Sequence, residues 1–289
     1  MDVIAVTSAL LSGVFFGLTA HVQKTALQGT DVSAGALISV ATMTAVLWVL
    51  APFFIEWHWF ATQAAAIFAV CGLVFPAASQ RLQVAAVQQV GPTLTSALGS
   101  LAPLFAVTLA VLFLGETLNA TGALGIALML AGLLLSALKP GGGLPRAFPV
   151  VMLLLPLGAA LARGVVQPAT KYGSLEINSA FFATLVMSTV ATVVLFFWML
   201  ADRTRRPLRM TRRGNRHFML NGLVIGSGIL SLQVAISHGA VSLAAPLASA
   251  TPLWTLVFGV MFFRNEDLTW RHLVMVLLVV TGAILVVTR

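Results

Sequence analysis

The chain has 289 residues, of which 59% are hydrophobic and 8% are charged, and its mean hydropathy is +1.01. A soluble domain of this length could not bury so much apolar surface, so the composition predicts an integral membrane protein covered by lipid. The net charge of +8 does not indicate a nucleic-acid partner, because the basic residues cluster at helix ends and in one loop, as membrane orientation requires. The single cysteine, Cys71, excludes an intrachain disulfide.

Ten stretches of the chain are long enough to cross a bilayer core, which takes roughly 20 helical residues. In chain order they lie near residues 3–24, 33–55, 60–80, 86–113, 119–138, 148–170, 178–201, 217–237, 241–263 and 269–287. The third and fourth stretches are separated only by the region around Arg81, and the longest connection is 202–216. Residues 139–145, Lys-Pro-Gly-Gly-Gly-Leu-Pro, form a helix-breaking joint. The predicted fold class is all-α, with ten transmembrane helices.

The two halves of the chain are copies of each other. An offset of 149 residues pairs Thr93 with Ser242, Ser100 with Ser249, Pro103 with Pro252 and Phe113 with Phe262. After one inserted residue in the turn 264–266 the offset is 150, which pairs Glu116 with Glu266 and Gly132 with Gly282. Upstream, an offset of 147 pairs Gly17, Lys24 and Asp31 with Gly164, Lys171 and Asn178.

These pairings predict two repeats, residues 1–140 and 147–289. Because each repeat holds five helices, an odd number, the second must enter the membrane inverted relative to the first. Internal duplication in so apolar a chain is typical of secondary transporters, whose substrate path lies between the repeats.

The repeated hairpin also resembles a known family. A helix with a mid-span proline closes in Phe-Leu-Gly-Glu at 113–116 and is followed by a glycine-rich helix that ends in Ala131-Gly132. This arrangement is similar to the EamA-type repeat of the drug/metabolite transporter superfamily, although the second copy reads Phe-Arg-Asn-Glu at 263–266. The resemblance implies a ten-helix transporter of small metabolites, often an exporter of amino acids or related compounds. It also implies a central cavity lined by the first, third, fourth, sixth, eighth and ninth helices.

The distribution of basic residues predicts the orientation. Thirteen of the 16 lie at or near odd-numbered connections, which share one face; Lys171 and Arg289 lie on the opposite face, and Arg163 is inside the membrane. Basic residues in short loops stay cytoplasmic, so we predict that 202–216 is cytoplasmic, next to anionic lipid, and that both termini are outside. Relatives are expected to have their termini inside. The expected location is the bacterial inner membrane, as a monomer or a dimer.

The acidic residues exclude several kinds of chemistry. All eight lie near predicted helix ends, whereas exchange of protons for organic cations usually needs a carboxylate within the membrane. We predict that Glu116 and Glu266 are N-terminal charges of the fifth and tenth helices. An intramembrane protease would rest on Ser227 or Ser231 with His238, but a third, orienting group is lacking. We therefore predict no enzyme, no metal site and no cofactor.

Polar side chains recur at helical spacing on five predicted helices. They are Ser8, Ser12, Thr19 and Gln23; Thr93, Ser96, Ser100 and Pro103; Arg163 and Gln167; Ser227, Ser231 and His238; and Ser242, Pro246, Ser249 and Pro252. Close helix packing explains each hydroxyl residue alone, but these helices are the ones that the resemblance assigns to the cavity. The predicted substrate-binding residues are Arg163, Gln167, Ser12, Thr19, Gln23, Ser96, Ser100, Ser227, Ser231, His238, Ser249 and Trp254.

Arg163 is the residue best suited to recognise a substrate. It lies on the order of 10 Å inside its helix end, and no acid is available mid-membrane to pair with it. Because arginine holds a carboxylate through two parallel hydrogen bonds, we predict that Arg163 and Gln167 bind the carboxylate of an amino acid or similar anion. The alternative, that Arg163 snorkels outward or bonds to carbonyls freed by Pro168, remains open. Pro103 and Pro252 are predicted hinges for alternating access.

The predicted function is a secondary transporter that exports amino acids or related small metabolites. Two other functions remain open. A lipid-linked metabolite flippase of the same fold would need a lateral opening between helices. A non-transporting membrane receptor or assembly factor is disfavoured, because the sequence contains no soluble domain.

Overall fold

The structure, a computed structural model, describes residues 3–99, 101–137, 149–205, 208–263 and 270–288. The α-helices in this part of the chain are α1 (Val3–Ala26), α2 (Val32–Phe54), α3 (Gln63–Gly72), α4 (Ser79–Val90), α5 (Pro92–Gly99), α6 (Ala102–Leu114), α7 (Ala120–Ala137), α8 (Leu154–Glu176), α9 (Ala180–Arg205), α10 (Arg212–His238), α11 (Val241–Ala248), α12 (Thr251–Phe258) and α13 (Trp270–Val287). Short 3-10 helices cover Trp57–Ala61 and Val150–Leu153, and π-helical turns cover Leu73–Ala78 and Gly259–Phe263.

The described residues confirm an all-helical membrane protein. Seven helical segments are long and apolar enough to cross a membrane: Val3–Ala26, Val32–Phe54, Gln63–Val90, Val151–Glu176, Ala180–Asp202, Arg212–His238 and Val241–Phe262. Three shorter apolar helices cover Ala102–Leu114, Ala120–Gly132 and Leu273–Val287. The count of ten membrane crossings therefore stays a prediction.

The third membrane helix differs from its prediction. Its helical residues run from Gln63 to Val90 with a kink at Phe75, whose φ of −138° and ψ of 121° are not helical, so the predicted boundary at Arg81 is wrong and this arginine lies within α4. The chain turns instead at Gly91, whose φ of +83° is a conformation that glycine adopts without steric cost. Pro92 then begins α5, at a helix position where its missing N–H costs nothing. The polar run 79–83 lowers the local hydropathy and so misplaces the predicted boundary.

The basic connection is also more helical than predicted. Helix α9 extends to Arg205, and α10 begins at Arg212 instead of near residue 217. Thr211 caps α10, because its side-chain oxygen accepts a hydrogen bond from the N–H of Gly214 at 3.1 Å. Arginine has a high helix propensity, so a basic run does not end a helix. The predicted joint 139–145 and the turn 264–266 lie outside the described residues.

Helices that the repeat predicts to be equivalent pack against each other. In α7 and α13, Gly125 lies against Gly282 and Gly132 lies against Met275, so the two helices are antiparallel. A Cβ atom at Gly125 would lie 2.7 Å from the carbonyl oxygen of Gly282, so glycine is needed for this close approach. An offset of 150 turns the pair 125 and 282 into the pair 275 and 132. The repeat therefore produces the same contact twice between α7 and α13, once at residues 125 and 282 and once at residues 132 and 275.

The offsets between the two repeats also relate a contact made by α1 to a contact made by α8. A Cβ atom at Gly17 of α1 would lie 2.6 Å from Cβ of Trp254 on α12. Offsets of 147 and 149 turn this pair into Gly164 and Phe105, and a Cβ atom at Gly164 would lie 2.5 Å from Cβ of Phe105 on α6. Both glycines thus let a helix pack directly against a large aromatic residue. These contacts place α6 and α12 beside the centre of the bundle.

Candidate functional site

Two helix pairs are interrupted at equivalent places. Helix α5 ends at Gly99 and α6 begins at Ala102; helix α11 ends at Ala248 and α12 begins at Thr251. At each interruption turns replace the helical hydrogen-bond pattern: the N–H of Leu101 donates to the carbonyl oxygen of Leu98, and the N–H of Ala250 donates to that of Leu247. Discontinuous helices of this kind form the substrate sites of many secondary transporters.

Pro103 and Pro252 follow these interruptions and do not kink an intact helix. Each is the second residue of its half-helix, where the missing N–H removes no intrahelical hydrogen bond. At the second interruption, the Thr251 hydroxyl donates to the carbonyl oxygen of Ala248 at 3.1 Å. The prolines therefore start the second half-helices. Their role as hinges stays a prediction.

A cavity lies beside both interruptions. Its water-accessible volume is about 40 Å³. Because one water molecule needs roughly 10–15 Å³ measured in this way, the cavity holds about three. Its lining comes from the first, third, fourth, sixth, eighth and ninth predicted membrane helices, the same six to which the resemblance assigns a cavity.

Arg163 reaches this cavity from the middle of α8. Its Nη2 donates to Oε1 of Gln83 on α4 at 3.3 Å, and its Nε is buried without a hydrogen-bond partner among the described residues. Within the same residues Arg163 forms no ion pair. A Cβ atom at Gly99 would lie 2.8 Å from Nη2, so this glycine makes room for the guanidinium beside the first interruption. Arg163 therefore has a buried donor, Nε, that is unpaired among the described residues and lies beside the cavity.

Two glutamines add unpaired polar atoms to the lining. Nε2 of Gln80 and Oε1 of Gln167 are buried and have no partner in the described part of the chain. Gln167 lies one helical turn after Arg163. An unpaired buried polar atom costs about 1–3 kcal/mol, so two donors and one acceptor around one cavity indicate a site for a polar ligand or water. No group of His, Cys, Asp and Glu in the described residues could hold a metal ion.

The structure separates the predicted binding residues into three groups. Those that line the cavity are Thr19, Arg163, Gln167 and Ser249. Those that lie outside the described lining are Ser12, Gln23, Ser227, Ser231, His238 and Trp254. Trp254 packs on Gly17, and His238 lies exposed at the end of α10. The side chain of Ser96 and the whole of Ser100 lie outside the described residues.

The cavity lining also includes three residues that the sequence does not predict as binding residues: Ser79, Gln80 and Gln83. The wrong boundary at Arg81 assigns them to the end of one helix and to a connection. The signal is nevertheless present, because residues 79 and 83 are one helical turn apart and share a face. The same spacing identifies the other polar stripes.

Glu116 contacts the other half of the protein. Its carboxylate accepts hydrogen bonds from the N–H groups of Val241 at 2.7 Å and Ser242 at 2.9 Å, the first residues of α11. The prediction that Glu116 charges the N-terminus of the fifth helix is therefore wrong. That helix, α7, begins at Ala120, and Oδ1 of Asn119 accepts a hydrogen bond from the N–H of Gly122 there. Glu266 lies outside the described residues.

Lys171 holds the same turn from the other side. Its Nζ donates to the carbonyl oxygens of Ile236, Ser237 and Gly239 at 2.9, 3.4 and 2.9 Å. A cation at the C-terminus of α10 and an anion, Glu116, at the N-terminus of α11 both complement the helix dipoles. The α10–α11 turn is thus bonded to α8 and to the connection between α6 and α7.

Arg81 forms an ion pair toward the opposite end of the bundle. Its Nη2 donates to Oδ2 of Asp202 at 2.8 Å, and the Ser33 hydroxyl donates to the same oxygen. Its guanidinium carbon lies 5.3 Å from the centre of the Trp198 ring, close enough for a cation–π contact. These contacts join α4 to α2 and α9. The Arg81 ion pair and the contacts of Lys171 and Glu116 with the α10–α11 turn thus lie on either side of the cavity along the bundle.

Comparison with known proteins identifies the family. The sequence model of the EamA-like transporter family matches residues 3–138 and, a second time, residues 150–288. The chain belongs to the EamA-like transporter family. A solved crystal structure, described only as a protein, has the same fold: the TM-score is 0.71 over 97% of this chain and 95% of that chain, at 16% sequence identity. A search of curated proteins found no match. The EamA-like chain is therefore an integral membrane protein of a class that transports small molecules.

Proposed function

We propose that this EamA-like protein is a secondary transporter that exports amino acids or related small carboxylates across the bacterial inner membrane. The observation that carries the proposal is the set of three buried, unpaired polar atoms around one cavity: Nε2 of Gln80, Nε of Arg163 and Oε1 of Gln167. Membership of the family supports the class of activity, and the cavity supports the proposed position of the binding site.

The chemistry of the three atoms fits an α-amino acid. An arginine inside a membrane is costly unless it faces water, a partner or a ligand, and Gln83 uses only one of its donors. The remaining donors of Arg163, with Nε2 of Gln80, suit a carboxylate. Oε1 of Gln167 is an acceptor and suits the ammonium group. One molecule with both groups would satisfy all three atoms.

The proposed mechanism is alternating access between two inverted repeats, residues 1–140 and 147–289, with five crossings each. The antiparallel packing of α7 on α13 supports the inversion, as do the exchanged contacts of Gly17 and Gly164. Opening one end of the cavity would break the hydrogen bonds of Lys171 and Glu116 to the α10–α11 turn. Opening the other end would break the ion pair of Arg81 with Asp202.

The proposal is tested with the full chain in liposomes, comparing labelled L-amino acids with their amides, which lack the carboxylate charge. We expect uptake of the acids to exceed that of the amides. Arg163→Gln should abolish this preference, and Arg163→Lys should retain only part of it, because a lysine cannot form the two-donor fork. Arg209→Gln is the matched control, since it removes a basic residue that does not line the cavity.

Two outcomes would overturn the proposal. In the first, Arg163→Gln elutes as a folded protein in size-exclusion chromatography and still prefers the acid. In the second, no amino acid is transported while lipid-linked substrates are moved between leaflets, which would indicate a flippase.

A further inference from the structure

The repeat relates cavity residues whose chemistry differs. The offset of 147 pairs Arg163 with Phe16, and both line the cavity, as do Gln83 and Leu232. Arg163 is hydrogen-bonded to Gln83. Phe16 packs on α10 at Gly228, where an added Cβ atom would lie 2.9 Å from the ring, one turn before Leu232. The guanidinium of Arg163, on α8 of the second repeat, therefore corresponds to the phenyl ring of Phe16, on α1 of the first.

The two helix interruptions differ in the same way. Gly99, at the end of α5, leaves space that the Arg163 guanidinium occupies. Its repeat mate is Ala248, at the end of α11, which also lines the cavity and places a methyl group there. The carbonyl oxygen of Ala248 lies close to Gly13 of α1, one turn before Phe16. The methyl group thus extends the apolar side of the cavity.

From this asymmetry we propose that the cavity selects small carboxylates that carry an apolar side chain, with Phe16, Leu232 and Ala248 as the residues that determine this specificity. The substrate's charged groups face Arg163, Gln80 and Gln167, and its apolar group faces Phe16, Leu232 and Ala248. This inference rests on the proposed function and names the substrate class of the same site. Asparagine and leucine make a sensitive comparison, because their side chains have nearly the same shape and differ in polarity.

A polar side chain placed against Phe16 and Leu232 would lose hydrogen bonds to water. The hydroxyl groups of Thr19 and Thr251, which also line the cavity, already donate to the carbonyl oxygens of Phe15 and Ala248. Pockets that discriminate in this way distinguish substrates by about 10- to 100-fold. We therefore expect the wild-type chain in liposomes to transport L-leucine about 10- to 100-fold more efficiently than L-asparagine. Both amino acids carry the same carboxylate and ammonium groups. The ratio of their transport efficiencies therefore does not depend on how Arg163 binds the carboxylate.

Three variants test the assignment of residues. Leu232→Gln adds an amide to the apolar side and should lower the leucine-to-asparagine ratio at least ten-fold. Ala248→Ser adds one hydroxyl with little change in volume and should lower the ratio in the same direction by a smaller factor. Leu232→Met is the matched control, because it conserves volume and polarity and should keep the wild-type ratio.

The outcomes separate this inference from the proposed function. If the wild-type chain transports neither amino acid nor any other carboxylate, the proposed function fails. If it transports both equally or prefers asparagine, the function stands and the apolar pocket is overturned. Should Leu232→Gln not fold, Ala248→Ser decides, and an unchanged ratio in Ala248→Ser would contradict the assignment.

Discussion

At the scale of single residues, Gly99 determines where the Arg163 guanidinium can lie. A Cβ atom at 99 would come within 2.8 Å of Nη2, the end of a flexible side chain, so Gly99→Ala should fold while displacing the guanidinium. Its repeat mate, Ala248, shows that a Cβ atom is compatible with this position in the fold. We expect the KM for a carboxylate substrate to rise roughly ten-fold, the size of one weakened charge-assisted hydrogen bond.

The matched control is Gly158→Ala on α8, where the only close neighbour of an added Cβ atom is Leu82 at 3.3 Å. That variant should keep the wild-type KM. An unchanged KM in Gly99→Ala, with normal folding, would show that the guanidinium position does not matter for binding.

The sequence predicts part of this site at the residue scale. Arg163 and Gln167 can be identified because an unpaired arginine within an apolar helix is rare and costly. The role of Gly99 cannot be predicted, since it depends on a contact between α5 and α8. Gln80 and Gln83 are missed because the polar run 79–83 resembles a helix end, whereas it forms the first residues of α4, where Ser79 and Gln80 are buried.

At the scale of helices, the interruptions at 99–102 and 248–251 are the elements that we expect to move. Pro103 and Pro252 start the second half-helices and cannot donate a hydrogen bond back across the gap. Replacing either with Ala restores an N–H group and should favour a continuous, stiffer helix. We therefore predict slower turnover with little change in binding affinity, measured as kcat and Kd in liposomes and detergent.

Pro156→Ala on α8 is a suitable control, because Pro156 lies away from both interruptions and outside the described cavity lining. Unchanged turnover in both Pro103→Ala and Pro252→Ala would show that these prolines serve packing only.

The existence of the helices follows from hydropathy alone, but their ends do not. Glu116 illustrates the reason. Its distance along the chain from α7 suggests a role at that helix, yet its carboxylate binds the first N–H groups of α11, 125 residues away. A helix N-terminus attracts any nearby anion, whichever segment supplies it, so only the packing of the two halves decides the partner.

At the scale of the whole molecule, the charge distribution predicts the orientation. Moving Arg81 into α4 removes one residue from the predicted basic connections, and the excess on that face remains. Asp31 and Arg209 lie together there, since the N–H of Arg209 donates to the Asp31 carboxylate at 2.9 Å. Basic residues in short connections resist translocation, so we propose that residues 202–216 are cytoplasmic and that both termini are outside.

Single cysteines at Arg209 and at Asp2, each introduced in a variant in which Cys71 is replaced by Ala, test this orientation. An impermeant thiol reagent applied to intact cells should label position 2 and leave position 209 unlabelled until the cells are opened. Opening the cells is the control for reactivity at 209. Labelling of 209 but not of 2 in intact cells would reverse the orientation. The inverted repeat would survive that result, because turning the whole protein over exchanges the two faces without changing how the repeats are related to each other.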